Sequence, residues 1–465
     1  MVNYFNFREF ENEYLITNDF GRYQFVDKGS LKALVKGSEE SLDSSIRNEL
    51  TSKFFITGES RQAYLDKSVP YMRDIKSHLF QSTGLFIFVM TNSCNLNCVY
   101  CQAQSENSSC KGLMSKEIAE RGVDIALQSP LGSIAIEFQG GEPLLNFDTI
   151  KHIVEYTEIN RGTKIVSYNL VSNLSLLTEE IADYLASHNV QVSVSLDGNE
   201  DVHNHNRPFR ADGSGTYTAA IKGIKMLRDR GLSLGAIQTT TRYSLDHPEE
   251  IVDTYVELGF NNIFIRPLTK LGYANDHWEK IGYSSEEFLS FYNRAMNHIL
   301  EINANGSVFS EGHANIFLTK IFHGYSNNYM ELRSPCGAAI GQIAIYYDGN
   351  IYTCDEGRMV AEMGDPAFKM GDVFSSNYDD LIDSGVCKTV CTASCLECIP
   401  GCCDCVYQPY CGVCPVINYA TENDLFSKAP RNNRCKIYSG MLDYFFGILH
   451  KNDTDTISIL KRWVQ

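Results

Sequence analysis

Apolar and polar residues follow one another in a regular succession of strand-like and helix-like segments through the middle of the chain. Short apolar runs predict six strands, at 85–91, 134–139, 164–172, 191–196, 234–241 and 262–268. Segments with apolar residues three to four positions apart predict the helices between and after them, at 115–129, 147–161, 178–189, 216–230, 248–259 and 285–303. Six strand–helix units favour a parallel sheet with its helices on the outside.

Helix start signals support several of these boundaries. Thr178 precedes two glutamates, Pro248 occupies a first-turn position, and Ser284 with Glu287 forms a capping box. Parallel strands bring their carboxyl ends to one edge of a sheet, so we expect the ligand chemistry of this region there.

The first 80 residues have a different pattern. Glu13–Thr17 and 22–26 read as two strands joined by a turn that contains Gly21, and 30–36 and 45–54 read as short amphipathic helices. A strand pair with two or three helices is typical of a small winged-helix-like module.

The C-terminal part is rich in cysteine, glycine and proline between residues 336 and 435 and shows little periodicity. We expect bound metal to organise it. The amphipathic stretch 437–449 predicts a packing helix. The expected domains are therefore a front module, a sheet-and-helix body, a cysteine-rich extension and a terminal helix, at 1–80, 81–310, 311–440 and 441–465.

Composition and charge narrow the functional classes. The 465 residues are 43% hydrophobic and 21% charged, which is ordinary for a globular protein, and the formal net charge is −17. This charge argues against nucleic acid and against anionic membrane surfaces as partners, and it is compatible with a basic peptide. We read no signal peptide at the N-terminus, and the longest apolar run nearby, 85–90, is too short to span a bilayer. We expect a cytoplasmic protein.

Sixteen cysteines in a reducing compartment indicate metal or redox chemistry rather than disulfides. Three lie at 94–101, one at 110, none between 111 and 335, and twelve between 336 and 435. Two cysteine-dense zones separated by a long cysteine-free body predict separate metal sites.

Cys94, Cys98 and Cys101 form a CxxxCxxC loop directly after the first predicted strand of the body. Three thiolates can hold three irons of a 4Fe–4S cluster, which leaves the fourth iron open to a cofactor. An open iron can chelate the amino and carboxylate groups of S-adenosylmethionine, and one electron can then release a 5′-deoxyadenosyl radical. A zinc knuckle is the alternative, but zinc prefers four ligands in paired short spacings.

Residues at the ends of later strands are candidates for binding that cofactor. Gly140 and Gly141 allow a close backbone approach, and the Glu142 carboxylate can accept a hydrogen bond from the cofactor's ammonium group. Asn173, Ser195 and Arg207 can bind ribose hydroxyls and the methionine carboxylate, although strand-end capping explains the Asn and the Ser equally well. Arg266 is either a further carboxylate or substrate contact or a surface ion pair.

Together, CxxxCxxC with Tyr100 before its last cysteine, the GGEP sequence from Gly140, the SLDG sequence from Ser195 and six strand–helix units resemble the radical S-adenosylmethionine (radical SAM) superfamily over roughly residues 84–306. The resemblance implies a partial (β/α)6 TIM barrel with the cluster at its open mouth.

The second cysteine zone resembles the SPASM extension of peptide-modifying radical SAM enzymes, which holds two auxiliary 4Fe–4S clusters. By position, Cys402, Cys405, Cys411 and Cys435 would bind one cluster, and Cys336, Cys354 and Cys414 the other. The Cys411–Cys414 gap is two residues where the family pattern has three, and no cysteine follows shortly after Cys336. Either the second cluster keeps an open iron, or it takes a ligand from four nearby cysteines, Cys387, Cys391, Cys395 and Cys398.

Cys110 and Cys403 are interpreted as unligated thiols. A zinc ribbon is the alternative for the whole zone, because CxxC pairs are also zinc spacing.

The opening of the chain and the run from Cys395 to Ala420 resemble the radical maturases of His-Xaa-Ser peptide systems. That resemblance implies three 4Fe–4S clusters, S-adenosylmethionine, an external electron donor of flavodoxin or ferredoxin type, and a precursor peptide that is bound by its leader and crosslinked at unactivated C–H bonds. Residues 1–80 resemble modules that bind a leader as an added strand, and a purely structural subdomain is the alternative.

Two other functions stay open. One is an anaerobic sulfatase-type maturase that makes formylglycine, and the other is a non-catalytic iron–sulfur or zinc protein that binds peptides. The sequence names no general base and no oligomeric state.

Overall fold

A computed structural model of the chain describes residues 1–105, 112–324 and 329–465. The front module is an antiparallel three-stranded sheet with the order β1-β2-β3, flanked by three helices. Its strands and helices are β1 Asn6–Phe10, β2 Glu13–Thr17, β3 Tyr23–Val26, α1 Lys28–Lys36, α2 Ser44–Ser52 and α3 Arg61–Ile75. The hairpin and two helices match the sequence pattern, whereas β1 was not predicted.

The six strands predicted for the body are all present and form one parallel sheet. They are β4 Leu85–Val89, β5 Ser133–Gln139, β6 Ile165–Ser172, β7 Gln191–Ser195, β8 Leu234–Thr239 and β9 Asn262–Arg266. Their buried residues, such as Phe88, Ile136, Leu170 and Val194, belong to one large apolar core. The predicted α/β fold with a partial parallel barrel is confirmed.

Helices cover the outer face of the barrel, and the predicted ones lie within a residue or two of their expected ends. In chain order they are α4 Lys116–Leu127, α5 Phe147–Asn160, α6 Glu179–Ser187, α7 Glu200–Asn206, α8 Tyr217–Arg228, α9 Pro248–Glu257, α10 Tyr273–Asp276, α11 Trp278–Ile281 and α12 Ser285–Ala304. Thr178 caps α6, and Ser284 with Glu287 makes the capping box of α12. The short helices α7, α10 and α11 were not predicted.

The main sheet continues beyond the six barrel strands on both sides. β10 (Ser310–Glu311) pairs with β9, and β11 (Gln342–Ile345) pairs in parallel with β4. An antiparallel pair then follows, β12 (Asn350–Tyr352) and β13 (Lys369–Asp372), to give ten strands. The cysteine-rich extension is therefore built onto the edge of the barrel sheet.

The extension contains more regular structure than its sequence pattern indicated. The remaining helices are α13 Gly312–His323, α14 Asp355–Glu362, α15 Tyr378–Ile382, α16 Gly385–Ala393, α17 Pro415–Glu422, α18 Asn433–Lys451 and α19 Thr454–Arg462. The boundary expected at residue 440 falls inside α18, because this helix starts at the cysteine zone and continues into the apolar stretch. No helix among the described residues is long and apolar enough to cross a bilayer.

The front module is attached to the cysteine-rich extension by polar contacts. The amide group of Asn6 donates to the carbonyls of Cys403 and Cys405 at 3.1 Å, and the Thr17 hydroxyl donates to the Val406 carbonyl at 2.7 Å. The segment after α3 is also anchored, since Nε2 of His78 contacts the Ser334 carbonyl at 3.2 Å.

We expect acid to destabilise the folded protein at this junction, because the buried His78 becomes protonated. The side chain is 4% exposed, and burial lowers its pKa from 6.5 to about 4. Below pH 6.5 the unfolded chain binds a proton that the folded chain does not, so stability falls as the pH drops from 6.5 to 4, by roughly 3 kcal/mol. Melting temperatures measured across this range should fall less steeply in His78→Gln. The slope should stay unchanged in the control His188→Gln, whose side chain is exposed, and equal slopes for all three proteins would contradict the assignment.

Candidate iron–sulfur and cofactor site

The loop with Cys94, Cys98 and Cys101 follows β4 at the mouth of the barrel. Backbone hydrogen bonds of 2.9–3.0 Å tie loop residues 95–99 to the segment 206–210, which follows α7. The three thiols are partly buried, and none of them is in a disulfide. The fold thus holds the loop from both sides and brings the three predicted ligands together.

The charge environment of these thiols suits the binding of a cation such as iron. Burial, together with neighbouring thiols, raises the pKa of Cys98 to about 12 and that of Cys94 well above its usual value. Binding of a metal therefore has to release the protons of these two thiols, because ligand thiols bind as thiolates. The donor set fits an iron–sulfur cluster with three cysteine ligands.

A buried polar cluster supports the loop beneath Cys98. The Tyr100 hydroxyl donates to both Asp197 carboxylate oxygens at 2.7 and 2.9 Å, and Nε of Arg207 lies 3.1 Å from that carboxylate. The guanidinium stacks over the Tyr100 ring, and its Nη1 lies 3.8 Å from the Cys98 sulfur. Arg207, predicted as a cofactor ligand, is thus placed next to a cluster ligand and neutralised by Asp197.

Gly140 and Gly141 lie where two segments of the chain's own backbone meet. A Cβ at Gly140 would sit 2.5 Å from the Thr91 carbonyl oxygen, and one at Gly141 would sit 2.2 Å from the Ser93 carbonyl oxygen. The Gly141 amide donates to Thr91 at 2.8 Å. The close approach predicted for these glycines is therefore an approach to the residues that lead into Cys94.

Glu142 is 1% exposed and faces the same loop. Its carboxylate accepts hydrogen bonds from the Leu144 and Asn173 amides and from the Ser172 hydroxyl, at 2.8–3.0 Å. Burial raises its pKa to about 7, and the described residues offer it no cation. A buried carboxylate of this kind fits an ammonium group, as the sequence predicted.

Asn173 and Ser195 lie at the carboxyl ends of β6 and β7. The Asn173 amide group donates to Asn95 at 3.2 Å and lies 3.9 Å from the Cys94 sulfur. Ser195 ends β7 and is half-buried. Asn173 is therefore next to the cysteine loop, while Ser195 stays a predicted cofactor contact.

The cysteine-rich extension reaches the barrel mouth through α14, which the sequence did not indicate. Glu362 accepts a hydrogen bond from the Asn92 amide group at 2.9 Å, and the Met363 sulfur accepts one from the Gly272 amide at 3.3 Å. The Arg358 side chain is 1% exposed and pairs with Asp355 at 2.8 Å. The mouth is therefore lined from the extension as well as from the barrel.

The extension contains two more groups of thiols. Cys336, Cys354 and Cys414 are buried in one apolar cluster and interact electrostatically with one another. Cys354 and Cys414 are the N-cap residues of α14 and α17. Burial raises the pKa of both thiols well above the usual value, so the neutral thiol is favoured unless a cation binds.

The second group comprises Cys402, Cys405, Cys411 and Cys435, which line one cavity together with Cys414. Burial, together with the neighbouring Cys435 and Cys405, raises the pKa of Cys402 to about 12. In each of the two predicted sets, the member cysteines therefore lie near one another. Cys110 lies outside the described residues.

Arg266, at the end of β9, belongs to a partly exposed ion network. It pairs with Glu331 at 2.5 Å, and Arg434 of α18 pairs with the other oxygen of the same carboxylate at 2.5 Å. The two guanidinium groups lower the pKa of Glu331 to about 2. The network joins the barrel to the extension, and no sequence pattern indicated Glu331.

Within residues 1–105, 112–324 and 329–465, no three His, Cys, Asp or Glu side chains converge closely enough to hold one metal ion.

Comparison with known proteins identifies the class. Residues 88–255 match the model of the Radical SAM superfamily. An uncharacterized protein of Methanocaldococcus jannaschii is 32% identical over 38% of this chain and 60% of its own length. The cysteine-type anaerobic sulfatase-maturating enzyme of Clostridium perfringens is 26% identical over 58% of this chain and 74% of its own length.

Two solved structures share the fold over most of the chain. Native anSMEcpe with bound AdoMet superposes with a TM-score of 0.68 at 18% identity and covers 82% of this chain and 99% of its own. Streptococcus suis SuiB bound to precursor peptide SuiA gives a TM-score of 0.54 at 16% identity and covers 91% of this chain and 98% of its own.

The chain therefore contains a radical SAM domain. Its fold, including the cysteine-rich extension, is shared with anSMEcpe and SuiB.

Proposed function

We propose that this protein is a radical SAM enzyme that oxidatively modifies, and crosslinks, side chains of a ribosomally made precursor peptide. The observation that carries the proposal is the arrangement of three thiol groups in one chain: one at the barrel mouth and two in the extension that covers this mouth. Bound together, the first cluster and S-adenosylmethionine supply a 5′-deoxyadenosyl radical, which abstracts hydrogen from an unactivated carbon.

The chain's own residues position these groups. Glu142 holds the cofactor's ammonium group, and Arg207 with Tyr100 fixes the loop beneath Cys98. Forming a bond between two C–H positions releases two electrons in all, of which the radical takes one with its hydrogen atom. The thiols of the extension would hold the auxiliary clusters that could accept the second electron, and the second hydrogen would leave as a proton to water. An external electron donor of flavodoxin or ferredoxin type would supply the electron needed to cleave S-adenosylmethionine.

The leader of the peptide is proposed to bind the front module as an added strand. Among the described residues β3 pairs only with β2, so its outer edge is available for backbone hydrogen bonds. A cavity of about 590 Å³ adjoins it, with Arg22, Lys53 and Lys461 in its lining. These cations favour an acidic leader segment even though the whole chain is acidic.

Formylglycine formation is the second candidate, and the likeness to the sulfatase-maturating enzyme favours it. Coexpression with the small open reading frame beside the gene, followed by tandem mass spectrometry, separates the two. A crosslink gives a peptide lighter by two hydrogens per bond that does not react with hydrazines. A hydrazine-reactive aldehyde would replace the proposal by the second candidate, and an unmodified peptide from enzyme that cleaves S-adenosylmethionine would refute both for that peptide.

Glu142→Gln should weaken S-adenosylmethionine binding tenfold to about a hundredfold. The amide keeps the shape of the side chain but removes the negative charge opposite the ammonium group, which is worth about 1.5–3 kcal/mol. Equilibrium binding to the reconstituted protein measures the change. Glu155→Gln, an exposed change on α5, is the matched control and should bind like the parent protein. Equal affinities in all three would show that Glu142 does not contact the cofactor.

A further inference from the structure

A groove opens where the barrel meets the cysteine-rich extension, at the carboxyl end of β9. One wall is the segment 267–285, from the end of β9 to the start of α12, and the other combines the end of α17 with the start of α18. The cavity between these walls has a volume of about 200 Å³. That equals the liquid volume of about seven water molecules, which is room for one large side chain. We call this cavity the β9 groove.

The β9 groove lies beside the cysteine loop at the barrel mouth. The segment that forms its barrel wall touches this loop at Gly272, where a Cβ would lie 2.7 Å from the Cys101 carbonyl oxygen. The Tyr273 amide donates to the same carbonyl at 3.0 Å. On the other wall, Arg434 directly precedes Cys435 of the second thiol group. A chain bound in the groove is therefore close to both the loop at the mouth and the extension.

The floor of the β9 groove is apolar. Leu268, Tyr283, Ile417 and Ile437 line it and are each 6–7% exposed. The Leu268 amide donates to the Tyr283 hydroxyl at 2.6 Å, which fixes this ring. Trp278 is half-buried and completes the aromatic part of the lining. A preformed floor of this kind suits an apolar side chain of a bound peptide.

The lining also contains two cations that have no acidic partner. Lys270 lies over the Trp278 ring, with its nitrogen 4.6 Å from the ring centroid, and Arg431 is exposed. Neither side chain forms an ion pair with the residues that the structure describes. The acid of the lining is Glu422, and one of its oxygens accepts a hydrogen bond from the Asn432 amide group.

Arg434 adds to the positive charge of the groove. It shares the single Glu331 carboxylate with Arg266, so that two guanidinium groups stand against one acid. The surroundings of the groove are therefore cationic on a chain whose formal net charge is −17. A local field of this sign favours an acidic partner.

We propose that the β9 groove binds the precursor peptide at an acidic residue, with the carboxylate at Lys270 and Arg431 and an adjoining apolar side chain on the floor. The inference rests on the proposed function, to which it adds the chemical class of the bound segment. A peptide fits the groove by its size and by its place beside the barrel mouth. Two copies of this chain would need about 800 Å² of contact surface on each partner to associate stably, which a groove for one side chain does not provide.

The test measures binding of a fluorescein-labelled peptide, encoded by the small open reading frame beside the gene, to the full reconstituted chain with S-adenosylmethionine. Lys270→Gln combined with Arg431→Gln should raise the Kd at least about tenfold, because two charge contacts are lost. Lys222→Gln combined with Lys225→Gln is the matched control. It removes the same charge from two exposed lysines of α8 that do not line the groove, and it should bind like the parent.

A second set of measurements identifies the residue that occupies the groove. Each acidic residue of the peptide is replaced in turn by its amide. One replacement should weaken binding to the parent about tenfold but should change binding to the Lys270→Gln, Arg431→Gln protein little, because that contact is already absent. A general disturbance of the fold would not remove the dependence on one acidic residue.

The inference is overturned if the double variant binds the peptide like the control, or if no acidic position shows this coupling. It is also overturned if free N-acetylglutamate binds as tightly as the peptide, or if the double variant instead changes the sedimentation of the protein alone, which would indicate a second copy in the groove. A parent that shows the coupling but leaves the peptide unmodified refutes the proposed function and not the groove. A parent that crosslinks the peptide without the coupling refutes the groove alone.

Discussion

Changing Cys94, Cys98 and Cys101 together to Ala is expected to abolish reductive cleavage of S-adenosylmethionine, with a fall of at least about a thousandfold in the rate of 5′-deoxyadenosine formation. The three thiols lie on one loop at the barrel mouth, and the other two thiol groups are built into the extension. No other thiol of the described residues lies in that loop to replace them. Chromatography of 5′-deoxyadenosine after reduction with dithionite measures the loss.

The same variant separates catalysis from binding. It should still bind roughly eight irons through the extension and should still bind the precursor peptide. Cys403→Ala, which changes a half-buried thiol outside the proposed ligand sets, is the control and should cleave the cofactor at the parent rate. If the triple variant still modifies peptide, the radical mechanism is wrong. If the parent protein binds peptide but never cleaves the cofactor, the non-catalytic function takes its place.

Local sequence pattern was sufficient for the barrel. β4 is a continuous apolar run because it is buried on both faces, whereas the other barrel strands, such as β5, bury alternate residues. The helices that follow the strands show an apolar stripe. Periodicity, capping residues and the cysteine loop therefore predicted six strands, their helices and the edge of the sheet that carries the site. These features depend on neighbours in sequence, which is the information that a pattern contains.

Contacts between segments far apart in the sequence could not be predicted from local pattern. Nothing local marks β11 as a partner of β4, or Glu331 as the bridge between Arg266 and Arg434. The extension looked irregular because its helices α14 and α17 are short and begin at cysteines, so their apolar faces turn towards thiols rather than forming a long stripe. Such residues are identified only once the chain is folded.

The site itself shows the same division. The sequence named Glu142 and Arg207 as cofactor ligands from their positions at strand ends, and the structure places both beside the cysteine loop. The sequence pattern did not indicate that Asp197 and Tyr100 would hold Arg207 in place. A ligand approach at Gly140 and Gly141 stays a prediction, and the structure adds that these glycines allow two loops of the chain to meet.

Gly141→Ala should be the most damaging single substitution at the site outside the cysteines. The added methyl group would lie 2.2 Å from the Ser93 carbonyl oxygen and 2.6 Å from its carbonyl carbon, which are backbone atoms that cannot rotate away. The loop would have to move, and the hydrogen bonds from Gly141 to Thr91 and from Glu142 to Ser93 would be lost with it. Overpacking of this kind costs about 1–3 kcal/mol in stability.

Gly141→Ala should lower the rate of cofactor cleavage more than its loss of stability alone explains, because the displaced residues lead directly into Cys94. We expect 5′-deoxyadenosine formation to fall about a hundredfold, since a displacement of about 1 Å can cost that much. Gly132→Ala is the matched control: a methyl group there meets no atom within 4 Å, and the position precedes the same strand, β5. Both variants should be compared by melting temperature, iron content and cofactor cleavage. A Gly141→Ala protein that cleaves the cofactor like the Gly132→Ala protein would mean that the loop tolerates displacement, and that the contact between these two segments does not position the cluster.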